Sequence, residues 1–104
     1  MPKVIYEVNL EVQKDISNHF HTWLNEHIKE MLTIDGFEKA QWLQEEKEET
    51  STIYWTVQYF LKSKQDLENY FEHHAQKQRS GGLEKFGNKF KANRRVFTIS
   101  ENFQ

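Results

Sequence analysis

The chain has 104 residues, which is room for one domain with one core and excludes a two-domain enzyme. Its hydrophobic fraction is only 37%, yet 14% of its residues are aromatic (8 Phe, 4 Tyr and 3 Trp), so few but large side chains must fill the core. Its 14 Lys plus Arg and 16 Asp plus Glu leave a net charge of -2, which excludes the global field of a nucleic-acid binder or an acid-solvated disordered chain, and the lack of cysteine excludes disulfides, thiolate metal sites and thiol nucleophiles.

No apolar run approaches the roughly 18 to 20 residues that span a bilayer. Met1-Pro2-Lys3 leads straight into a strand-like pattern rather than a signal-peptide core. A single cytoplasmic domain over residues 1–104 with no membrane partner is therefore expected. Val4, Tyr6, Val8, Leu10 and Val12 alternate with Ile5, Glu7, Asn9 and Glu11, the period of a half-buried strand. Asp15 then stands as an N-cap candidate before Ile16, Phe20, Trp23, Leu24, His27, Ile28, Met31 and Leu32, whose steps of three and four trace one helical stripe. Gly36 marks the stop. Phe37 to Glu45 and Thr52 to Leu61 read as two strands of a hairpin whose tip, Glu46 to Ser51, carries no apolar residue. Ser63 and Asp66 resemble a capping box that opens a second helix through Leu67, Tyr70, Phe71 and His74. Two glycines, Gly81 and Gly82, each cost about 1 kcal/mol inside a helix, so a break is expected there before Leu83, Phe86 and Phe90 resume apolar spacing. Lys91 to Ser100 reads as a last strand, and Glu101 to Gln104 should fray.

The order βαββαβ, with short connections, predicts an α+β ferredoxin-like domain: a four-stranded antiparallel sheet with two helices on one face. The Tyr6 set is the better helix-facing candidate. The other face would then carry Ile5, Tyr54, Phe60 and Trp42 beside Glu7, Asn9 and Gln58, too aromatic for plain solvent and too polar for a dry core. A homodimer in which two such faces meet, a dimeric α+β barrel, resolves this.

Ile5-Tyr6-Glu7-Val8-Asn9-Leu10, Trp23-Leu24-Asn25-Glu26-His27-Ile28, Gly36-Phe37, Val57-Gln58-Tyr59, Leu67 to Tyr70, Phe86-Gly87 and Arg94-Arg95 span almost the whole chain. On these stretches the chain resembles a small bacterial family known only as domain of unknown function 4286. The resemblance implies a ferredoxin-like fold of the dimeric α+β barrel kind and supplies no activity. Gly81-Gly82 departs from the better helix formers expected at that point of the family's second helix.

Strand alternation places Glu7, Asn9, Gln58 and one of Arg94 or Arg95 together on the open face. A Glu7–Arg pair can fix register there, or these groups can line a cavity for a small polar or aromatic ligand with Tyr54, Trp42 and Phe60 as walls. Arg95 faces that side if Phe97 and Ile99 do. His27, on the apolar stripe, either packs at the helix–sheet boundary or acts as a proton-transfer group. With Glu7 or Tyr6 it is a candidate for a small cofactor-independent oxygenase- or isomerase-like enzyme, an alternative by fold analogy alone. His19 and His21 diverge on their helix, as do His73 and His74, and no zinc signature, phosphate loop or catalytic triad order is present, so neither metal nor cofactor is implied. Between Lys77 and Arg95 seven basic residues face one acidic residue, Glu84. With Phe86, Phe90 and Phe97 as stacking platforms this basic third is an alternative RNA-binding surface. A solvated basic face complementing the acidic hairpin fits the near-zero net charge better than nucleic-acid recognition.

Overall fold

A computed structural model describes residues 2–48 and 51–104 of the chain. The alternating N-terminal segment forms β1 (Val4–Gln13), and a 3-10 turn over Lys14–Ile16 leads into helix α1 (Ser17–Met31). Strands β2 (Phe37–Gln44) and β3 (Thr52–Leu61) follow, then helices α2 (Lys64–His73) and α3 (Ala75–Phe86), and finally β4 (Phe90–Thr98). All neighbours in the sheet β2-β3-β1-β4 are antiparallel. The fold is the expected α+β ferredoxin-like one, with its second helix in two pieces.

Pleat alternation divides β1 as its sequence dictates. Val4, Tyr6, Leu10 and Val12 are buried towards the helices with Trp55, Val57, Tyr59 and Leu61 of β3. Phe20 of α1, Leu67 and Tyr70 of α2 and Phe86 of α3 close over them. Each such side chain contributes about 1.5–3 kcal/mol by leaving water. Rings make much of the contact: Phe20 lies 4.9 Å from Phe86, 5.0 Å from Phe90 and 6.3 Å from Trp55, and Tyr6 lies 5.7 Å from Tyr70. Phe86 and Phe90, two of the three rings considered for base stacking, therefore belong to this packed layer.

Three local expectations need correction. Asp15 does not cap α1: it sits in the 3-10 turn and its Oδ2 pairs with Lys89 Nζ at 2.9 Å, so tertiary pairing takes the carboxylate away from the helix end. The second helix breaks at His74, where φ is -129° and ψ is -27°, and not at Gly81-Gly82, which lie inside α3. Gly82 is buried because α3 packs closely on α1, and a Cβ there would stand 3.0 Å from the Trp23 ring and 3.3 Å from Phe90. Trp42 faces the helices: a register shift between Phe37 and Lys39 sets it opposite Val57, and its ring meets Trp55 edge-on at 5.2 Å. The hairpin tip expected from Glu46 to Ser51 is not among these, since it includes Glu49 and Thr50, which lie outside the described residues.

The Ser63 cap is as expected, with the Asp66 amide donating to Ser63 Oγ at 3.2 Å. Gly36 has φ +91° and abuts the Asp66 side chain, so a Cβ has neither the backbone conformation nor the space. Its carbonyl accepts from the Lys62 amide at 2.9 Å, tying the turn before β2 to the start of α2.

The adjacent glycines of α3 should respond oppositely to alanine. At Gly81 the added Cβ meets Trp23 at an ordinary 3.8 Å, so Gly81→Ala should stabilise by about 0.5–1 kcal/mol through helix propensity and a less flexible unfolded chain. At Gly82 the Trp23 ring is held by His27, Phe20 and Phe86, so Gly82→Ala should destabilise by about 1–3 kcal/mol from overpacking. Urea denaturation of the two variants beside the wild type measures both.

Candidate functional site

The open face of the sheet brings together most of the polar group expected there. Register sets Glu7 opposite Gln58 of β3 and opposite Arg95 of β4, and Phe97 opposite Ile5, so Arg95 takes this side and Arg94 the other. Glu7 is only 4% exposed. Gln58 Nε2 donates to its Oε1 at 3.0 Å, and Asn9 Nδ2 and Arg95 Nε donate to its Oε2 at 3.0 and 2.8 Å. Thr56 Oγ1 in turn donates to Asn9 Oδ1 at 2.7 Å. Burial alone would push the Glu7 carboxyl up, but the bonds from Gln58, Asn9 and Arg95, with the Arg95 charge, hold it below the ordinary carboxylate range. The aromatic residues of this face lie under cations: Lys39 over Phe60 at 4.8 Å, Lys47 over Tyr54 at 4.2 Å and Arg95 over Phe97 at 5.0 Å. Of the expected ligand-binding set, Glu7, Asn9, Tyr54, Gln58, Phe60 and Arg95 thus share the open face, and Trp42 lies on the opposite one.

His27 and Tyr6 meet on the helix side. There, between α1, α3 and the sheet, lies a cavity of about 50 Å³. Val8, Leu10, Leu24, Met31 and Val57 give it apolar walls, and Tyr6, Tyr59, Tyr70, His27, Gln78, Arg79 and Arg94 contribute polar groups. Glu7 points away from it, so the three proton-transfer candidates do not converge. Trp23, His27 and Gln78 also line an adjoining outer groove and so form the partition between cavity and groove. His27 stacks on Trp23 with centroids 4.6 Å apart and planes 14° apart. Burial lowers its pKa, the Glu30 charge opposes that, and the Arg94 charge adds to it, so the net effect favours the neutral imidazole. Burial also raises the Tyr59 and Tyr70 hydroxyls, helped by the neighbouring tyrosines, so these remain protonated donors. Arg79 Nη2 donates to the Tyr6 hydroxyl at 3.2 Å.

Arg79, Gln78, Tyr59 and Tyr70 were not apparent as site residues from sequence. The inward stripe of α3 is Ala75, Gln78, Gly82 and Phe86; its three- and four-residue spacing is helical, but a polar residue and a glycine in it mask the apolar signal.

The profile of the domain of unknown function 4286 matches residues 3–100. The chain belongs to that family. No curated protein matches its sequence. Its fold recurs in solved structures. A dimeric ferredoxin-like protein from an uncultured marine organism is 12% identical with a TM-score of 0.76, covering 99% of this chain and 100% of that one. SnoaB, a cofactor-independent oxygenase from Streptomyces nogalater, is 11% identical with a TM-score of 0.74, covering 98% and 97%. A proposed antibiotic biosynthesis monooxygenase from Bacillus cereus is 15% identical with a TM-score of 0.68, covering 100% and 99%. At such identities the likeness is one of fold.

The Glu7 network carries a pH signature. A depressed folded-state pKa means the unfolded chain takes up the proton first, so this stability is fully present above the unfolded value near 4.5 and is lost as pH falls through the folded one. Glu7→Gln should cost about 1–3 kcal/mol at pH 7, the range for bonds to a buried charged group. The gap to wild type should close as the buffer is taken well below pH 4.5. Urea midpoints across that range check it; a constant gap would mean that the charge is irrelevant.

Proposed function

We propose that this protein is a homodimer, joined through the open sheet face, that binds a small ligand in the cavity between its helices and sheet. One observation carries the ligand site: one cavity is lined both by apolar side chains and by two arginines, a histidine and three tyrosines, the make-up of a site that orients a ligand. On the open face Glu7 spends its acceptor capacity on Gln58, Asn9 and Arg95, which suits a register lock at an interface better than a vacant binding site. The dimeric state of a neighbour with this fold supports the assembly. Light scattering at micromolar concentration is expected to give twice the chain mass, and Phe97→Glu to give the monomer with unchanged helix content. A wild-type monomer at every concentration would remove the dimer.

The cavity is tested with 1-butanol as probe. About 50 Å³ holds roughly four water-sized groups, so a four-carbon tail fits. Millimolar 1-butanol should shift the amide resonances of Val8, Leu24, Met31 and Val57 saturably. Val8→Phe, which fills the space, should abolish the shifts. Scattered or unsaturable shifts in the wild type sink the ligand site.

A second reading, proton-transfer catalysis, is favoured by the neutral, half-buried His27 imidazole in the same cavity as Tyr6 and Arg94. His27 could take an α-proton from a small carbonyl compound, leaving an enolate opposite the Arg94 charge; the imidazolium exchanges its proton with solvent and returns one to the same α-carbon, which regenerates the carbonyl and the neutral imidazole. The cofactor-independent oxygenase among the fold neighbours is in keeping with this. Deuterium exchange at the α-carbon of 2-butanone should be accelerated by the wild type, fall by about 100-fold in His27→Asn and survive Glu7→Gln, since Glu7 lies across the sheet. Equal exchange in the wild type and His27→Asn would reject catalysis.

A further inference from the structure

We infer that the ligand of the helix-side cavity is a short-chain organic carboxylate, its apolar tail inside and its carboxylate between Arg79 and Arg94. The inference rests on the cavity reading given above and specifies its ligand class. Its basis is an unbalanced charge. Arg94 enters the helix side from β4 and Arg79 from α3, and both line the same small cavity. The Arg94 charge acts on His27 of α1, Tyr59 of β3 and Tyr70 of α2, and the Arg79 charge also acts on Tyr70. Among the described residues no carboxylate forms an ion pair with either arginine. Glu30, which lines the adjoining groove with Glu26, accepts from Gln78 Nε2 at 3.3 Å and acts on His27. Other basic side chains do have a carboxylate within ion-pair reach, Arg95 with Glu7, Lys89 with Asp15, Lys3 with Glu38 and Lys29 with Glu26.

Arg79 and Arg94 both line the cavity while remaining exposed to solvent, which leaves them open to an incoming ligand, and a carboxylate offers each the planar acceptor edge that suits its fork of N–H groups. Arg79 already has one arm placed, since its Nη2 donates to the Tyr6 hydroxyl and its Cζ lies 5.9 Å from the Phe71 centroid. Cavity size bounds the other end of the ligand. Space for roughly four water-sized groups admits a tail of about that many carbons and excludes a fused aromatic system. The polar groups select the head and the walls limit the tail.

Isothermal titration of the full chain with butanoate, butanamide and inorganic phosphate separates the contributions. Butanoate should bind saturably, at least about 10-fold more tightly than the neutral, equally shaped butanamide, as loss of a charge-assisted bond implies. Phosphate, which has no tail, should bind more weakly than butanoate. Affinity should rise about fourfold per methylene from acetate to butanoate and level off beyond pentanoate. Arg94→Gln and Arg79→Gln should each erase the preference for butanoate over butanamide, and Arg94→Lys should restore part of it. If butanoate and butanamide bind alike in the wild type, and Val8→Phe abolishes both, the cavity is a ligand site and the carboxylate assignment is wrong. If neither binds, or binding survives Val8→Phe, the cavity reading falls and takes this inference with it. The amide comparison needs only wild-type protein, so a variant that fails to fold leaves the test intact.

Discussion

Everything in this sheet is organised around a carboxylate held almost out of water on its central strand. Glu7 draws its donors from three strands, Asn9 beside it on β1, Gln58 on β3 and Arg95 on β4, so its charge is tolerable only when all three stand in one register. A one-residue slip of β4 would put Arg94 in place of Arg95 on the open face, so the register of this strand is decided by Phe90 and Ala92, which the slip would carry away from the helix-side core. The same slip would carry Tyr6 out of the core if it occurred in β1. In β1 apolar burial and charge satisfaction therefore select the same pairing, and this agreement between independent demands is what a sequence specifying a single structure requires.

Because β4 presents Arg95 on one face, its neighbour Arg94 is forced to the other. The cationic character of the helix-side cavity is thus a by-product of the register that neutralises Glu7. Adjacent arginines in one strand serve opposite faces, one structural and paired, the other without a carboxylate partner beside an aromatic pocket. The two faces also differ in their use of aromatic residues. On the helix side rings pack against rings, and on the open side they lie beneath lysine and arginine.

Much of this was legible beforehand for a definite reason. Where a segment buries one face, its periodicity records it, which is why the bounds of β1, α1 and β3 and the side taken by Tyr6 follow from spacing. The failures share a cause as well. Asp15 has the right type for a cap, but Lys89 claims it from the far end of the chain. Gly81-Gly82 reads as a breaker by propensity, yet Gly82 is there because the Trp23 ring needs the room. Trp42 is displaced to the helix side by a strand irregularity that no residue announces. In each case a long-range contact overrides a local preference. The candidate site divides the same way: the Glu7 group follows from alternation within strands, whereas the cavity depends on how α3 lies on α1 and joins residues from six elements.

The sheet order has a consequence for the birth of the protein. β1 is made first but lies in the interior of the sheet, flanked by β3 and by β4, and Val4 pairs with Thr98 at the far end of the chain. Until β4 leaves the ribosome, a strand that buries Val4, Tyr6, Leu10 and Val12 has one unpaired edge, and Glu7 lacks Arg95. Such non-local pairing makes folding slow and exposes a sticky edge meanwhile. The buried glutamate then acts as a temporary gatekeeper: unneutralised, its charge disfavours the strand's pairing with another nascent chain until the proper arginine arrives.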